Sequence, residues 1–277
     1  MFEKMTYKNH LGEEIHFGED GIFANTSDIH DYKWDVASIN NKISKFKKNI
    51  QKRTIPVIIA CNSESEGIQK RNTIFEVFEK DVLSGIAGKL IIGDYYFKCY
   101  ITDSKKSNYL NHRNYMELDL EAQSEHPYWI KENLTKFATG EFAKGSDMDY
   151  NSDFPFDYSS NLRATSLMNS SFADSNFRLI VFGECVNPTV IIAGHPYTVN
   201  ATIKQGEYLT VDSIEKKIFL TKSDCTTENC FNLRDRESYI FEKIPPGRSE
   251  VSSTSDSEVD FAFEITVYDE RGEPKWT

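Results

Sequence analysis

Apolar and polar residues alternate with a period of two through Phe177-Arg178-Leu179, through 197–203, and again at Leu209-Thr210-Val211 and Ile218-Phe219-Leu220. Such spacing gives a strand one apolar and one polar face. Turn signals separate these runs: Asn187-Pro188, Ala193-Gly194-His195-Pro196, Lys204-Gln205-Gly206-Glu207 and 212–216. Links this short join antiparallel neighbours, because a parallel pair needs a long crossover. The stretch 177–220 therefore predicts a meander whose apolar face a second sheet must cover. The alternating run 261–267 is expected to supply part of that sheet.

The first half of the chain alternates in the same way around one helix. Thr6, Tyr7 and Lys8, the loop Asn9-His10-Leu11-Gly12 and the run Ile15-His16-Phe17 predict an opening hairpin. Strands are expected over 32–36 and 53–61, on either side of a basic stretch, 41–52. Over 66–83, Ile74, Phe75, Phe78 and Val82 share one side at helical spacing, Ser63 or Ser65 can cap the start, and Gly85 and Gly88 stop it. Gly93-Asp94 links 89–92 to 95–101 as a type II′ hairpin turn. Met116, Leu118, Leu120 and Ala122 then alternate with Glu117, Asp119 and Glu121, and the first domain ends at His126-Pro127-Tyr128-Trp129. Periodicity fades from 131 to 176, which reads as a linker anchored by the aromatic island Phe154-Pro155-Phe156-Asp157-Tyr158. Beyond the meander, Pro245-Pro246 marks a corner between strands, and 248–260 reads as a Ser-rich loop before the last strand. The domains are thus 1–131, a linker over 132–176, and 177–277, with 146 as an earlier start for the second.

Composition narrows the function more by exclusion than by assignment. The chain has 277 residues, 39% of them apolar and 13% aromatic, enough for two folded domains with their own cores. No apolar run approaches the ~18 residues of a membrane span, and Met1-Phe2-Glu3-Lys4-Met5 has no secretory pattern, so a soluble protein made in a cytoplasm is expected. A net charge of −11 disfavours tight grip on phosphates, although an acidic wall can let DNA pass. The five cysteines lack the paired spacings of a zinc site and read as scattered core thiols, and no pair among the six histidines has metal-ligand spacing or stands beside a nucleophile. There is no phosphate-cradling glycine loop either. Neither a cofactor, a metal nor a catalytic residue is expected. The basic stretch carries Lys42, Lys45, Phe46, Lys47, Lys48 and Lys52; it reads as a solvated loop or hairpin tip, or as an arm that reaches an acidic neighbouring subunit.

Several stretches together resemble the distal tail proteins of long-tailed phages. They are the hairpin Thr6-Tyr7-Lys8-Asn9, the segment from Asp81-Val82-Leu83-Ser84-Gly85 to Gly88-Lys89-Leu90-Ile91-Ile92-Gly93-Asp94-Tyr95-Tyr96, and the domain end His126-Pro127-Tyr128-Trp129. With them belongs a C-terminal series: Gly183-Glu184-Cys185-Val186-Asn187-Pro188, Tyr197-Thr198-Val199-Asn200, Gly206-Glu207-Tyr208-Leu209-Thr210-Val211-Asp212, Ile244-Pro245-Pro246-Gly247 and Glu273-Pro274-Lys275-Trp276. The resemblance implies a mainly β chain, with an N-terminal β-sandwich carrying one α-helix and an extended arm, and a C-terminal galectin-like β-sandwich. It also implies a hexameric ring at the virion tail tip, with a channel for DNA. The implied partners are copies of the chain itself, the tail tube protein, a tail-associated hub or fibre protein and receptor-binding proteins. Under it, Lys42, Lys45, Phe46, Lys47, Lys48 and Lys52 fall in the ring-forming arm. The alternative is a carbohydrate-binding module, with the C-terminal sandwich adhering to the host surface. No sugar platform stands out, since Trp129 and Trp276 read as packed.

Overall fold

The structure, a computed structural model, describes residues 4–31, 33–108, 114–138, 165–257 and 261–273. The chain divides into two compact units, Met1–Lys131 with Arg271–Thr277, and Glu132–Glu270. Both are mainly β.

In the first unit, β1 (Met5–Lys8) and β2 (Glu14–Phe17) form the expected hairpin, and β3 (Ile22–Ala24) follows. Next come β4 (Asp35–Ile39), β5 (Lys42–Lys47), β6 (Gln51–Ala60) and the helix α1 (Glu64–Ser84). β7 (Gly88–Ile92), β8 (Tyr95–Asn108) and β9 (Tyr115–Ser124) complete it, and β10 (Trp129–Ala138) begins there. One sheet runs β2-β1-β7-β8 and the other β3-β6-β9-β8. β8 serves both, because Tyr95 to Cys99 pair with β7 while the residues from Tyr100 onward pair with β9. The apolar faces meet in one core of Tyr7, Ile55, Phe78, Phe97, Met116 and Trp129. Gly93, with φ +56, supplies the first position of the β7–β8 turn, and the alternation predicted for β9 buries Met116, Leu118, Leu120 and Ala122.

The helix starts where Ser63 accepts from the Glu66 amide (3.3 Å) and ends at Gly85, whose φ of +66 needs no Cβ. Its inward face differs from the expected one. Ile74, Val77, Phe78 and Asp81 are buried, while Val82 is exposed. The reason is the Asp81 carboxylate, which accepts from the Tyr7 hydroxyl (2.5 Å) and the His10 amide (2.9 Å) and meets His10 Nδ1 at 2.5 Å. A fully buried charge must be met by donors, and turning Asp81 inward carries Val82 out. Desolvation, with Asp81 among the smaller causes, pushes the Tyr7 hydroxyl far above the usual tyrosine range. Gly88 passes so close that a Cβ there would overlap the Tyr7 hydroxyl and Asp81 Oδ2.

The second unit holds the rest of β10, then β11 (Ser166–Asn169), β12 (Phe177–Phe182), β13 (Cys185–Val186), β14 (Thr189–Ile192) and β15 (His195–Thr198). β16 (Thr202–Ile203), β17 (Tyr208–Asp212), β18 (Lys217–Thr221), β19 (Thr227–Asn229), β20 (Gly247–Thr254) and β21 (Ala262–Arg271) follow. One sheet has the order β19-β18-β17-β12-β21-β10, the other β11-β20-β14-β15, and β13 pairs with β16. Leu179, Val211, Ile218 and Ile265 of the first sheet share a core with Leu167, Val190 and Tyr197 of the second, so the unit is a β-sandwich.

Four expectations are corrected here. The run 177–220 is not a simple meander: β12 pairs with β17 and β21 instead of its sequence neighbours. The last strand therefore lies in the same sheet as β12, with Leu179 opposite Ile265, and does not belong to the covering sheet. That role falls to β20, inside the stretch read as a Ser-rich loop, which is hydrogen-bonded to β11 on one side and β14 on the other. Within the stretch read as a linker, β10 continues to Ala138 and β11 forms at Ser166–Asn169, while the aromatic island 154–158 lies outside the described residues.

Candidate assembly interface

β4 and β5 form a two-stranded hairpin paired with no other strand among the described residues, with Asp35 opposite Lys47 and Ile39 opposite Lys42. Its turn is Asn40-Asn41, both with positive φ (49° and 59°), the geometry of a type I′ turn that asparagine tolerates well. Ser44 Oγ donates to the Ala37 carbonyl (3.0 Å), and a register shift falls between Ala37 and Ser38. Val36, Ile39, Ile43 and Phe46 are exposed to 53%, 66%, 60% and 57%. Val36 and Phe46 are cross-strand partners, so they present one apolar patch. An isolated hairpin is at best marginal in water, and exposed apolar residues this dense mark an interaction surface.

The hairpin is anchored at its root. Lys48 Nζ donates to the Pro127 carbonyl (3.1 Å) and stands 5.3 Å from the Trp34 ring centre and 4.7 Å from that of Tyr128. Burial, helped by the Arg53 charge, lowers the Lys48 ammonium to about 8. Gln51 Nε2 donates to the Lys33 carbonyl (2.6 Å).

Of the residues expected in the arm, Lys42, Lys45, Phe46 and Lys47 lie together on β5. Lys48 belongs to the root. Lys52 lies on β6, paired to Glu121 at 2.9 Å. The strand expected over 32–36 overlaps the first strand of the hairpin at Asp35 and Val36 but stops short of Ile39; the Asn40-Asn41 pair between apolar residues was the available signal for its end.

Elsewhere the described residues offer little chemistry. No group of three His, Cys, Asp or Glu side chains among them is placed to hold a metal ion, and no helix is long and apolar enough to cross a membrane. Four of the cysteines are buried, Cys225 is exposed, and all five are free thiols. His195 Nε2 lies 3.0 Å from the Tyr239 carbonyl, a packing role. Trp129 is fully buried against Phe97 (5.5 Å), as the sequence reading expected. In the second unit, Lys216, Phe231, Arg234, Tyr239 and Phe241 line a cavity of about 780 Å³.

This architecture, a two-unit β chain with one α-helix among the described residues and an uncovered arm, has the fold of phage baseplate hub proteins. Over 95% of its length the chain matches the Dit protein of SPP1, described as a paradigm of the hub adsorption apparatus in phages infecting Gram-positive hosts, with a TM-score of 0.57, 8% identity and 98% of that chain covered. It also matches a chain of the phage P2 baseplate in its activated conformation with Ca (TM-score 0.60, 11% identity, 99% of this chain and 100% of that one). The same baseplate with Sr gives a TM-score of 0.59 at 12% identity, covering 98% and 99%. No family model and no curated protein matches the sequence.

Proposed function

We propose that the protein is a structural hub of a phage tail tip, not an enzyme. Copies associate as a hexameric ring through the β4–β5 arm, and the ring joins the tail tube to the baseplate or fibre and the receptor-binding proteins. Lys42, Lys45, Phe46 and Lys47 are the arm's contact residues, with Lys48 and Lys52 steadying its root. The second unit is a galectin-like sandwich facing outward, and the channel wall is acidic enough for DNA to slide through. The observation that carries this reading is the agreement in fold with hub and baseplate chains along nearly the whole length. The arm supports it independently. Its lysines and apolar side chains are suited to a neighbouring copy of a chain whose net charge is −11. Native mass measurement and imaging of the purified full chain, alone and mixed with tube and tip proteins, test the reading. A ring is expected, and a strictly monomeric protein in every mixture refutes it.

The carbohydrate-binding alternative rests on the cavity beside Tyr239, an exposed aromatic next to charged side chains. Glycan-array binding by the full chain, abolished by Tyr239→Ala, would favour it; a silent array removes it. Tyr208 is a poorer candidate, being partly covered and packed on Phe182 at 5.9 Å.

A further inference from the structure

With Asp81 turned into the core, the last turn of α1 shows Val82 and Leu83 to solvent, and Ile86 follows just past the stop at Gly85. Leu83 is 81% exposed, more than any other large apolar side chain among the described residues. Leu11, also exposed, joins them, because the ring of its neighbour His10 lies 2.5 Å from Asp81 and 3.5 Å from Ser84 Oγ. The first unit therefore carries a second apolar patch, on other elements than the arm. Exposed apolar side chains gathered in this way mark an interaction surface.

The two patches differ in charge, and the difference suits them to each other. On the arm, the apolar side chains are interleaved with Lys42, Lys45 and Lys47, none of which makes an ion pair among the described residues. On α1, Glu76 and Glu79 are exposed and make no ion pair there either. They stand about two turns and one turn before Leu83, on its side of the helix. The last turn of α1 holds no basic residue, so the negative end of the helix dipole is not answered within the helix. A lysine arriving beside Leu83 meets carboxylates and carbonyl dipoles together, and an acid-edged apolar patch complements a base-edged one. Symmetry asks for such a pair: in a head-to-tail ring each copy gives one surface and receives on a different one. The arm is only the giving side.

We propose that the C-terminal end of α1, centred on Leu83, is the receiving surface for the β4–β5 arm of a second copy of this chain. The arm's apolar side chains pack on Leu83 and Ile86, and its lysines face Glu76 and Glu79. This rests on the reading that copies self-assemble through the arm, and it adds the surface that completes the contact. Leu83→Gln tests it, since glutamine suits a helix about as well as leucine and the site is exposed. The melting temperature of the dilute monomer is expected to hold, while self-association of the full chain, followed by mass photometry, weakens by about tenfold or more. Leu83→Ala serves if the Gln variant fails to fold, with the same expectation. Mixing then shows which surface meets which. Leu83→Gln and Phe46→Ser each stay monomeric, but an equimolar mixture forms dimers and nothing larger, because one variant keeps the arm and the other the receiving surface. If Leu83→Gln associates as tightly as wild type while Phe46→Ser does not, the helix end is overturned as the receiver and the arm reading stands. A mixture that remains monomeric overturns it as well. If wild type is monomeric even beside tube and tip proteins, the ring reading falls first and the receiving surface with it.

Discussion

Replacing Tyr7 by Phe deletes one oxygen from the centre of the first unit and leaves the ring in place. That hydroxyl is the donor to Asp81 Oδ2 at 2.5 Å, and both residues are fully buried. Asp81 keeps the His10 amide and Nδ1, both on Oδ1, so Oδ2 alone loses its partner. Hydrogen bonds to charged groups, and the desolvation of an acceptor left unmet, are each worth up to about 3 kcal/mol, so a loss of about 2–3 kcal/mol is expected. For a unit of about 140 residues, unfolding entropy converts this into a fall of about 7–10 °C in its melting temperature. Urea unfolding of wild type, Tyr7→Phe, Asp81→Asn and the double variant measures it. The two changes should be strongly non-additive, coupled by more than about 1 kcal/mol, because they break one contact. A loss below about 0.5 kcal/mol, or additive effects, would show that Asp81 does not depend on Tyr7 and would refute the account of the helix's inward face.

Three further predictions follow from single sites. Phe46→Ser, alone or with Val36→Ser, leaves monomer stability within about 0.5 kcal/mol, because both side chains are exposed, and abolishes ring formation in native mass measurement. Lys48 releases its proton at about 8 in the folded chain and at 10.5 unfolded. Between those values the unfolded chain holds more protons, so Lys48 makes stability rise with pH. Wild type minus Lys48→Met should show that slope in pH-dependent urea melts, and amine-reactive labelling at pH 8 should favour Lys48. Ala193 takes φ +52 in the β14–β15 turn, ahead of Gly194 at φ +81. Ala193→Asn, which tolerates that backbone, should raise the urea midpoint by the equivalent of about 0.5–1 kcal/mol.

What could be read from the sequence was what period-two burial writes into it. β7, β8 and β9 are legible because one face of each strand packs on the core and the other meets water. The stop of the helix was legible in Gly85. β20 was not, since Gly247-Arg248-Ser249-Glu250 and the serines after it contribute mainly backbone hydrogen bonds, with few apolar contacts. Which strand pairs with which is likewise written in long-range register and not in local pattern, so β21 was placed in the wrong sheet. Asp81 misled because a carboxylate on a helix reads as solvated until its distant partners, Tyr7 and His10, are known. The arm was legible as a basic hairpin tip but not in its extent back to Asp35, because its apolar residues serve no core among the described residues.

β8 runs for 14 residues and enters both sheets of the first unit. A pulling force that tries to part those sheets cannot peel them one after the other, because they share this continuous backbone. It must shear many ladder bonds together. Stretched in an optical trap, the unit should therefore rupture in a single tall step, a property well suited to a part held under mechanical load.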